Sequence, residues 1–185
     1  GTFKITPATV TLTSGSKTRE YNGSALTNEE VEGKNANGLT VETGWVEGEG
    51  ATYSFTGTIT EEGSVKNAFS YTLKAGTIAS NYSISKTEGD LKIEASTAEL
   101  KVVSADGNWT YDGNAHTKYE YTVTYGTESY TVKIAEGATT GTATLSTGDV
   151  VTITPAASAT ITNVVQSGEG EDAVKTVVNA FSYTV

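Results

Sequence analysis

Cysteine and methionine are absent from the 185 residues, proline occurs twice and histidine once. Without a thiol there is no disulfide framework, thiolate metal site or cysteine nucleophile, so stability must come from packing and hydrogen bonds. A single imidazole, His116, excludes multi-histidine metal sites and leaves any Ser-His-Asp arrangement to be built on that residue alone. No G-x-S-x-G elbow is present. No apolar run approaches the roughly 20 residues of a membrane span. The chain also opens without the charged and apolar regions of a signal peptide, so a signal or anchor is expected outside this segment. Basic residues are scarce too: 12 Lys and Arg stand against 22 Asp and Glu, a net charge of -10. Such a surface repels phosphate backbones and anionic lipids, so neither nucleic acid nor membrane is an expected partner.

What is abundant is threonine, with 34 residues, alongside ten tyrosines and 20 glycines. β-Branched and aromatic residues divided by glycine turns favour strands over helices. The apolar residues recur with period two: Tyr53, Phe55 and Ile59 share one parity, and Thr52, Ser54, Thr56, Thr58 and Thr60 the other. Phe69, Tyr71 and Leu73 alternate with Ser70 and Thr72, and Tyr121, Val123 and Tyr125 with Thr122 and Thr124. Tyr53, Phe55, Ile59, Phe69, Tyr71 and Leu73 are therefore the predicted core, with their threonine and serine neighbours facing water.

Two landmarks repeat. Val10-Thr11-Leu12 and Tyr21-Asn22-Gly23 return as Leu100-Lys101-Val102 and Tyr111-Asp112-Gly113, offset by 90 (100 − 10, 111 − 21). Asn67-Ala68-Phe69-Ser70-Tyr71-Thr72-Leu73 returns as Asn179-Ala180-Phe181-Ser182-Tyr183-Thr184-Val185, offset by 112 (179 − 67). Thr58-Ile59-Thr60 against Thr160-Ile161-Thr162, offset by 102 (160 − 58), divides the difference into twelve extra residues before that strand and ten after it. Inserted loops are where one repeat acquires a role that its neighbour lacks. The reading is three segments: 1–5, the closing strand of a preceding module; 6–95, a first all-β module; and 96–185, a second, larger by 22 residues (112 − 90) and lacking its last strands. About seven short strands per module suit two tandem immunoglobulin-like β-sandwich modules, and the Ile93-to-Ala98 junction, free of glycine and proline, suits an elongated arrangement. The alternative is a β-grasp-like module with one short helix, if the turn at Leu26 to Val31, capped by Thr27 with Glu30 three residues on, lengthens across a sheet.

Tyr21-Asn22-Gly23, Tyr111-Asp112-Gly113, the Asn-Ala-Phe-Ser-Tyr-Thr strands, and Asn81-Tyr82-Ser83-Ile84 leading to Gly89-Asp90-Leu91-Lys92-Ile93 resemble tandem modules of the MBG or YDG type, found in large cell-wall-anchored and secreted proteins of gut Firmicutes. The resemblance covers nearly all of the first module and the two ends of the second, and departs between Tyr125 and Ser158. It implies a stalk or adhesin-like role outside the cell, beside neighbouring modules of the same protein, and brings no catalytic residues and no cofactor.

His116 is read as a polar loop or strand residue rather than a general base, and the acids of Glu47-Gly48-Glu49-Gly50 as a solvated turn rather than a glycosidase pair. Asp106-Gly107-Asn108 and Asp112-Gly113-Asn114 space oxygen ligands as calcium loops begin, but the rest of that motif is absent and hairpin turns are the favoured reading. Glu169, Glu171 and Asp172 could gather a cation, with a solvated acidic loop favoured. No lysine has the inward parity that a Lys–Asn crosslink needs, Lys101 included, so the intact mass should equal the sequence mass. Sugar binding would need exposed aromatic rings: Trp109, aligned with Arg19, is expected at an edge, and with Tyr119 or Tyr130 it is the candidate ligand platform, whereas Trp45 is expected in the core. The expected function is a non-enzymatic stalk or adhesin-type module, the alternative a glycan- or host-protein-binding module using the enlarged second repeat. Finally, Gly1-Thr2-Phe3-Lys4-Ile5 matches Gly89-Asp90-Leu91-Lys92-Ile93, offset by 88 (89 − 1), so head-to-tail self-association, in which this strand completes the second module of another molecule, is expected.

Overall fold

The computed structural model describes residues 1–164 and 176–185. It is all-β, with two three-residue 3-10 turns, and divides into two compact units, Gly1–Ser96 and Thr97–Val185. Unit 1 holds ten strands: β1 (Ala8–Thr13), β2 (Lys17–Glu20), β3 (Leu26–Thr27), β4 (Val41–Thr43), β5 (Ala51–Phe55), β6 (Thr58–Ile59), β7 (Gly63–Lys66), β8 (Phe69–Leu73), β9 (Tyr82–Thr87) and β10 (Asp90–Glu94). The number exceeds seven because longer strands are interrupted at Ser14-Gly15-Ser16, Thr56-Gly57, Asn67-Ala68 and Glu88-Gly89.

The organising feature is parallel. β1 lies between β4, antiparallel, and β9, parallel, with Ala8 opposite Tyr82 and Thr13 opposite Thr87. The same register continues beyond a break: β10 lies between β2, parallel, with Leu91 opposite Lys17, and β7, antiparallel. At the break Gly89 faces Gly15, and a Cβ on Gly89 would strike the Gly15 and Ser14 carbonyl oxygens. Only a residue without a side chain allows that backbone approach. The crossing is held by buried polar groups. Ser14 Oγ donates to the Asn67 carbonyl at 2.7 Å and accepts the Gly89 N–H at 3.1 Å. Asn67, fully buried, donates through Nδ2 to the Gly15 carbonyl at 2.9 Å and to Asn28 Oδ1 at 2.8 Å, and its backbone N–H bonds the Gly89 carbonyl at 2.8 Å.

Each side of the break has its own core. On one side Val10, Leu12, Leu39, Phe69 and Tyr82 are buried between the β1 sheet and the β5–β8 pair, which adds Tyr53, Phe55 and Tyr71. On the other, Leu26, Val31, Leu91 and Ile93 pack with Tyr21, Ile59 and Val65. The parity expected for β5, β6 and β8 is observed, with Thr52, Ser54, Thr56, Thr58, Thr60, Ser70 and Thr72 all exposed. Of the six predicted core residues, however, only Phe69 is fully buried and the others are half-buried. The centre falls instead to β1, β10 and the Leu39 loop, because β1 and β10 are the middle strands of their sheets while β5 and β8 form a two-stranded cover. Trp45 is half-buried in the first core, its ring edge-on to Tyr82 at 4.8 Å.

The turn at Leu26 to Val31 stays a 3-10 turn, Asn28–Glu30, capped by Thr27 Oγ1, which accepts the Glu29 N–H at 3.2 Å. The expected reciprocal role of Glu30 is not observed: its carboxylate pairs with Arg19 Nε at 3.1 Å. A turn of this length does not supply the helix that a β-grasp-like module requires.

Unit 2 holds β11 (Leu100–Ser104), β12 (Glu120–Tyr125), β13 (Glu128–Lys133), β14 (Gly141–Thr144), β15 (Val150–Pro155) and β16 (Phe181–Thr184) among the described residues. Two antiparallel sheets, β11-β12-β13 and β14-β15-β16, enclose Tyr121, Val123, Val132, Ala143, Leu145, Val151 and Ile153. Where unit 1 turns from β4 to β5 through residues 44–50, unit 2 carries β13 and β14 between β12 and β15. Asn179 donates through Nδ2 to the Ala105 carbonyl at 3.0 Å and the Lys118 carbonyl at 2.7 Å. Those acceptors stand 90 residues after Gly15 and Asn28, the acceptors of Asn67 (105 − 15, 118 − 28). No helix among the described residues is long and apolar enough to cross a membrane, which says nothing of a β-barrel.

Candidate functional site

Unit 2 carries a groove of about 540 Å³. One wall is the segment 104–111 that follows β11, the opposite wall residues 176–179 that precede β16, and the floor His116 and Ile161. The floor is fixed by backbone pairing. The His116 N–H donates to the Ile161 carbonyl at 2.8 Å, and the Ile161 N–H to the His116 carbonyl at 3.0 Å. This bridge joins positions offset by 90 and 102 (116 − 26, 161 − 59) from Leu26 and Ile59, which pair in the same antiparallel sense in unit 1.

Trp109 lies over the floor. Its ring stacks on the His116 imidazole with centroids 5.1 Å apart and planes 15° from parallel, and it covers Gly107, where a Cβ would strike the indole. Gly107 therefore serves the seating of Trp109. The expected hairpin turn at Asp106-Gly107-Asn108 is not observed: Gly107 has no positive φ and the segment carries no turn. Trp109 is 40% exposed and Tyr111 63% exposed, which leaves an aromatic rim open to solvent.

At Asp112-Gly113-Asn114 the chain does turn, but not as the expected hairpin, since no paired strands flank it. Gly113 has φ +82°, and Asp112 Oδ1 accepts the Asn114 N–H at 2.9 Å, an Asx turn. The Asn114 N–H, then its side-chain amide, then His116 Nε2 at 2.9 Å stabilise the ionised Asp112 and bring its pKa down to about 2. Asp112 thus orients the imidazole while Trp109 covers its face. No serine or threonine hydroxyl bonds the His116 ring among the described residues. No group of three or more His, Asp or Glu is placed to hold a metal ion among the described residues. The Glu169, Glu171 and Asp172 cluster lies outside them.

The three residues expected as a ligand platform are not brought together. Trp109 is on the groove, whereas Tyr119 and Tyr130 are half-buried against the β12–β13 core, and Tyr130 donates to Glu128 Oε2 at 2.5 Å. The ring partner of Trp109 is His116, and its exposed aromatic neighbour along the wall is Tyr111. Parity along β12 and β13 could have placed both tyrosines on the core side, since Tyr121 and Val132 share their sheet. Nothing in the spacing of Trp109 and His116 announced their stack. Lys101 is exposed, consistent with its outward parity. In unit 1, the Glu47-to-Gly50 turn is tied down, with Tyr82 OH donating to a Glu49 carboxylate oxygen and the Val46 N–H donating to Tyr82 OH at 3.3 Å. No family model, no curated protein and no solved structure matches this chain.

Proposed function

We propose that the chain is a non-enzymatic, load-bearing stalk or adhesin-type module of a bacterial extracellular surface protein. The observation that carries the reading is the parallel pairing of the opening strands of unit 1 with its closing strands, β1 with β9 and β2 with β10. In this geometry tension applied where the chain enters β1 and leaves β10 acts along the strands. All the rungs of the ladder are then loaded in shear and must fail together, instead of opening one at a time as in a hairpin peeled from its end. Forced unfolding is governed by the unfolding rate, and a ladder that breaks all at once slows it. The exposed threonine faces and the resemblance to MBG- and YDG-type modules support the extracellular assignment. Two β layers facing each other across the Val10–Leu12 core support the immunoglobulin-like sandwich as the finer fold of unit 1.

Single-molecule pulling tests this directly, because a chain without cysteine accepts unique handles. With Thr9→Cys and Glu94→Cys the force runs in shear; with Thr9→Cys and Ser83→Cys it pulls paired positions apart. The expected result is an unfolding force several-fold higher in the first geometry. Equal forces would remove the load-bearing reading. A second reading, a glycan- or host-protein-binding role for unit 2, is favoured by the exposed Trp109 and Tyr111 on the groove, and a glycan array with the Trp109→Ala variant as control tests it.

A further inference from the structure

Asparagine is chemically labile, and a following glycine, having no Cβ, lets the asparagine side chain reach the next backbone nitrogen. Two Asn-Gly pairs lie in loops of unit 1, Asn22-Gly23 between β2 and β3 and Asn37-Gly38 ahead of β4, and both asparagines are exposed. They are held differently. Asn22 Oδ1 accepts the Ser24 N–H at 3.0 Å, an Asx turn, and Arg19 Nη1 at 2.6 Å. The first of these bonds folds the side chain back, so that Cγ and the Gly23 nitrogen belong to one hydrogen-bonded ring. The Gly23 N–H donates to no acceptor among the described residues. Arg19 is itself fixed, through Nε to Glu30 at 3.1 Å and Nη2 to the Ser24 carbonyl at 2.7 Å. At Asn37 both reacting groups are occupied. The Gly38 N–H donates to the Asn35 carbonyl at 3.0 Å, and Asn37 Nδ2 to Glu42 Oε2 at 2.7 Å. Gly38 is also packed against the Phe55 ring, which a Cβ there would strike.

We propose that Asn22-Gly23 is a site of spontaneous deamidation in the folded chain, that Asn37-Gly38 is protected, and that the turn at Asn22 accommodates the aspartate product. In the first step the Gly23 nitrogen gives up its proton to water and bonds to Asn22 Cγ. The Cγ–Nδ2 bond breaks, ammonia leaves and a five-membered succinimide remains. Water then opens the ring, at Cγ to leave aspartate or at the backbone carbonyl to leave isoaspartate of the same mass. The net change is amide and water to carboxylate and ammonium, with no enzyme, metal or oxidant. The slow point is the tetrahedral adduct, in which Oδ1 carries negative charge, and Arg19 Nη1 and the Ser24 N–H already point at that oxygen. Unit 2 shows what the product looks like. Asp112, 90 residues on (112 − 22), closes the same turn, its Oδ1 accepting the Asn114 N–H at 2.9 Å, with Gly113 at φ +82° against +79° for Gly23. A carboxylate in place of the Asn22 amide keeps both acceptor roles and gives Arg19 a second anion beside Glu30. The reaction therefore adds one negative charge at a fixed place without undoing the turn.

The inference is independent of the load-bearing reading. The test is to hold the folded full chain in mildly alkaline buffer for days and map its peptides by mass spectrometry. The peptide carrying Asn22 is expected to gain about 1 Da, the difference between an amide and an acid, several-fold faster than the peptide carrying Asn37. In urea, where both loops lose their hydrogen bonds, the two rates should converge. Equal rates in the folded chain, or a faster Asn37, overturn the proposal. So does a difference that persists in urea, because it would belong to the local sequence and not to the turn. Asn22→Asp, which installs the product directly, should leave the urea midpoint of unit 1 unchanged or raised, as read by Trp45 emission in the Trp109→Phe background. A lowered midpoint would refute the claim that the turn accommodates the carboxylate.

Discussion

Tyr121 is fully buried in the centre of unit 2, and its hydroxyl has no hydrogen-bond partner among the described residues. Burial accordingly pushes its pKa up. An unpaired hydroxyl in an apolar core forfeits hydration without return, so Tyr121→Phe should be neutral or stabilising by up to about 1 kcal/mol in urea unfolding. A clear destabilisation would reveal a partner for the oxygen. Glu42 in unit 1 presents the opposite case. Burial raises its pKa, but Asn37 Nδ2 at 2.7 Å, Tyr53 OH at 2.6 Å and Asn35 Nδ2 at 2.7 Å all donate to the ionised form and outweigh burial, so the net shift is downward. A carboxylate lowered on folding contributes stability that is complete above its unfolded value, ordinarily 4.5, and is lost as the pH falls through the lowered folded value. Glu42→Gln should therefore reduce stability at neutral pH and flatten the acid limb of the stability profile of unit 1, as followed by Trp45 fluorescence. An unchanged acid limb would mean that the three donors do not favour the charged form.

At the scale of the strand, the Gly15–Gly89 crossing is the point on which unit 1 depends, because one register runs through the break from β1–β9 into β2–β10. Gly89→Ala places a methyl against backbone oxygens, which cannot rotate away, and should cost about 1–3 kcal/mol with a corresponding fall in the shear unfolding force. The same substitution at Gly50, where the nearest atoms belong to the Lys74 side chain, lacks that steric clash and offers a local comparison, with a backbone cost from its φ of +152°. Period-two alternation made β5, β8 and β12 legible with their faces correctly assigned, since a half-buried strand writes its environment into every second residue. The parallel partnership of β1 with β9 left no such mark. Pairing across a 74-residue separation (82 − 8) is set by tertiary packing, and neither strand differs locally from one in a hairpin. Asn67 was visible as part of a repeat, but its burial was not, because a polar residue next to a strand reads as a turn until its four partners, Ser14, Gly15, Asn28 and Gly89, are in place.

For the whole chain, the excess of 22 acidic over 12 basic side chains was legible from composition, whereas the groove was legible only in outline. Trp109 could be singled out because its counterpart is a charged residue, yet its partner could not, since the stack on His116 arises when a bridge to Ile161 fixes the imidazole from residues far along the chain. The two tryptophans fall one to each unit, and this allows the units to be followed separately. Unit 1 buries two apolar clusters and closes its ladder with β10, whereas unit 2 buries one cluster among the described residues and leaves Trp109, Tyr111, Val177 and Val178 exposed. Less apolar surface removed from water means less stability for a domain of similar length. In urea the Trp109 signal, read in Trp45→Phe, should therefore change at a lower midpoint than the Trp45 signal, read in Trp109→Phe. Each variant also carries a core check: Ile153→Ala should lower the Trp109 midpoint and Leu12→Ala the Trp45 midpoint, each by a loss of about 2–5 kcal/mol. If both signals move together in every variant, the clusters unfold as one cooperative system and the division into two compact units has no counterpart in stability.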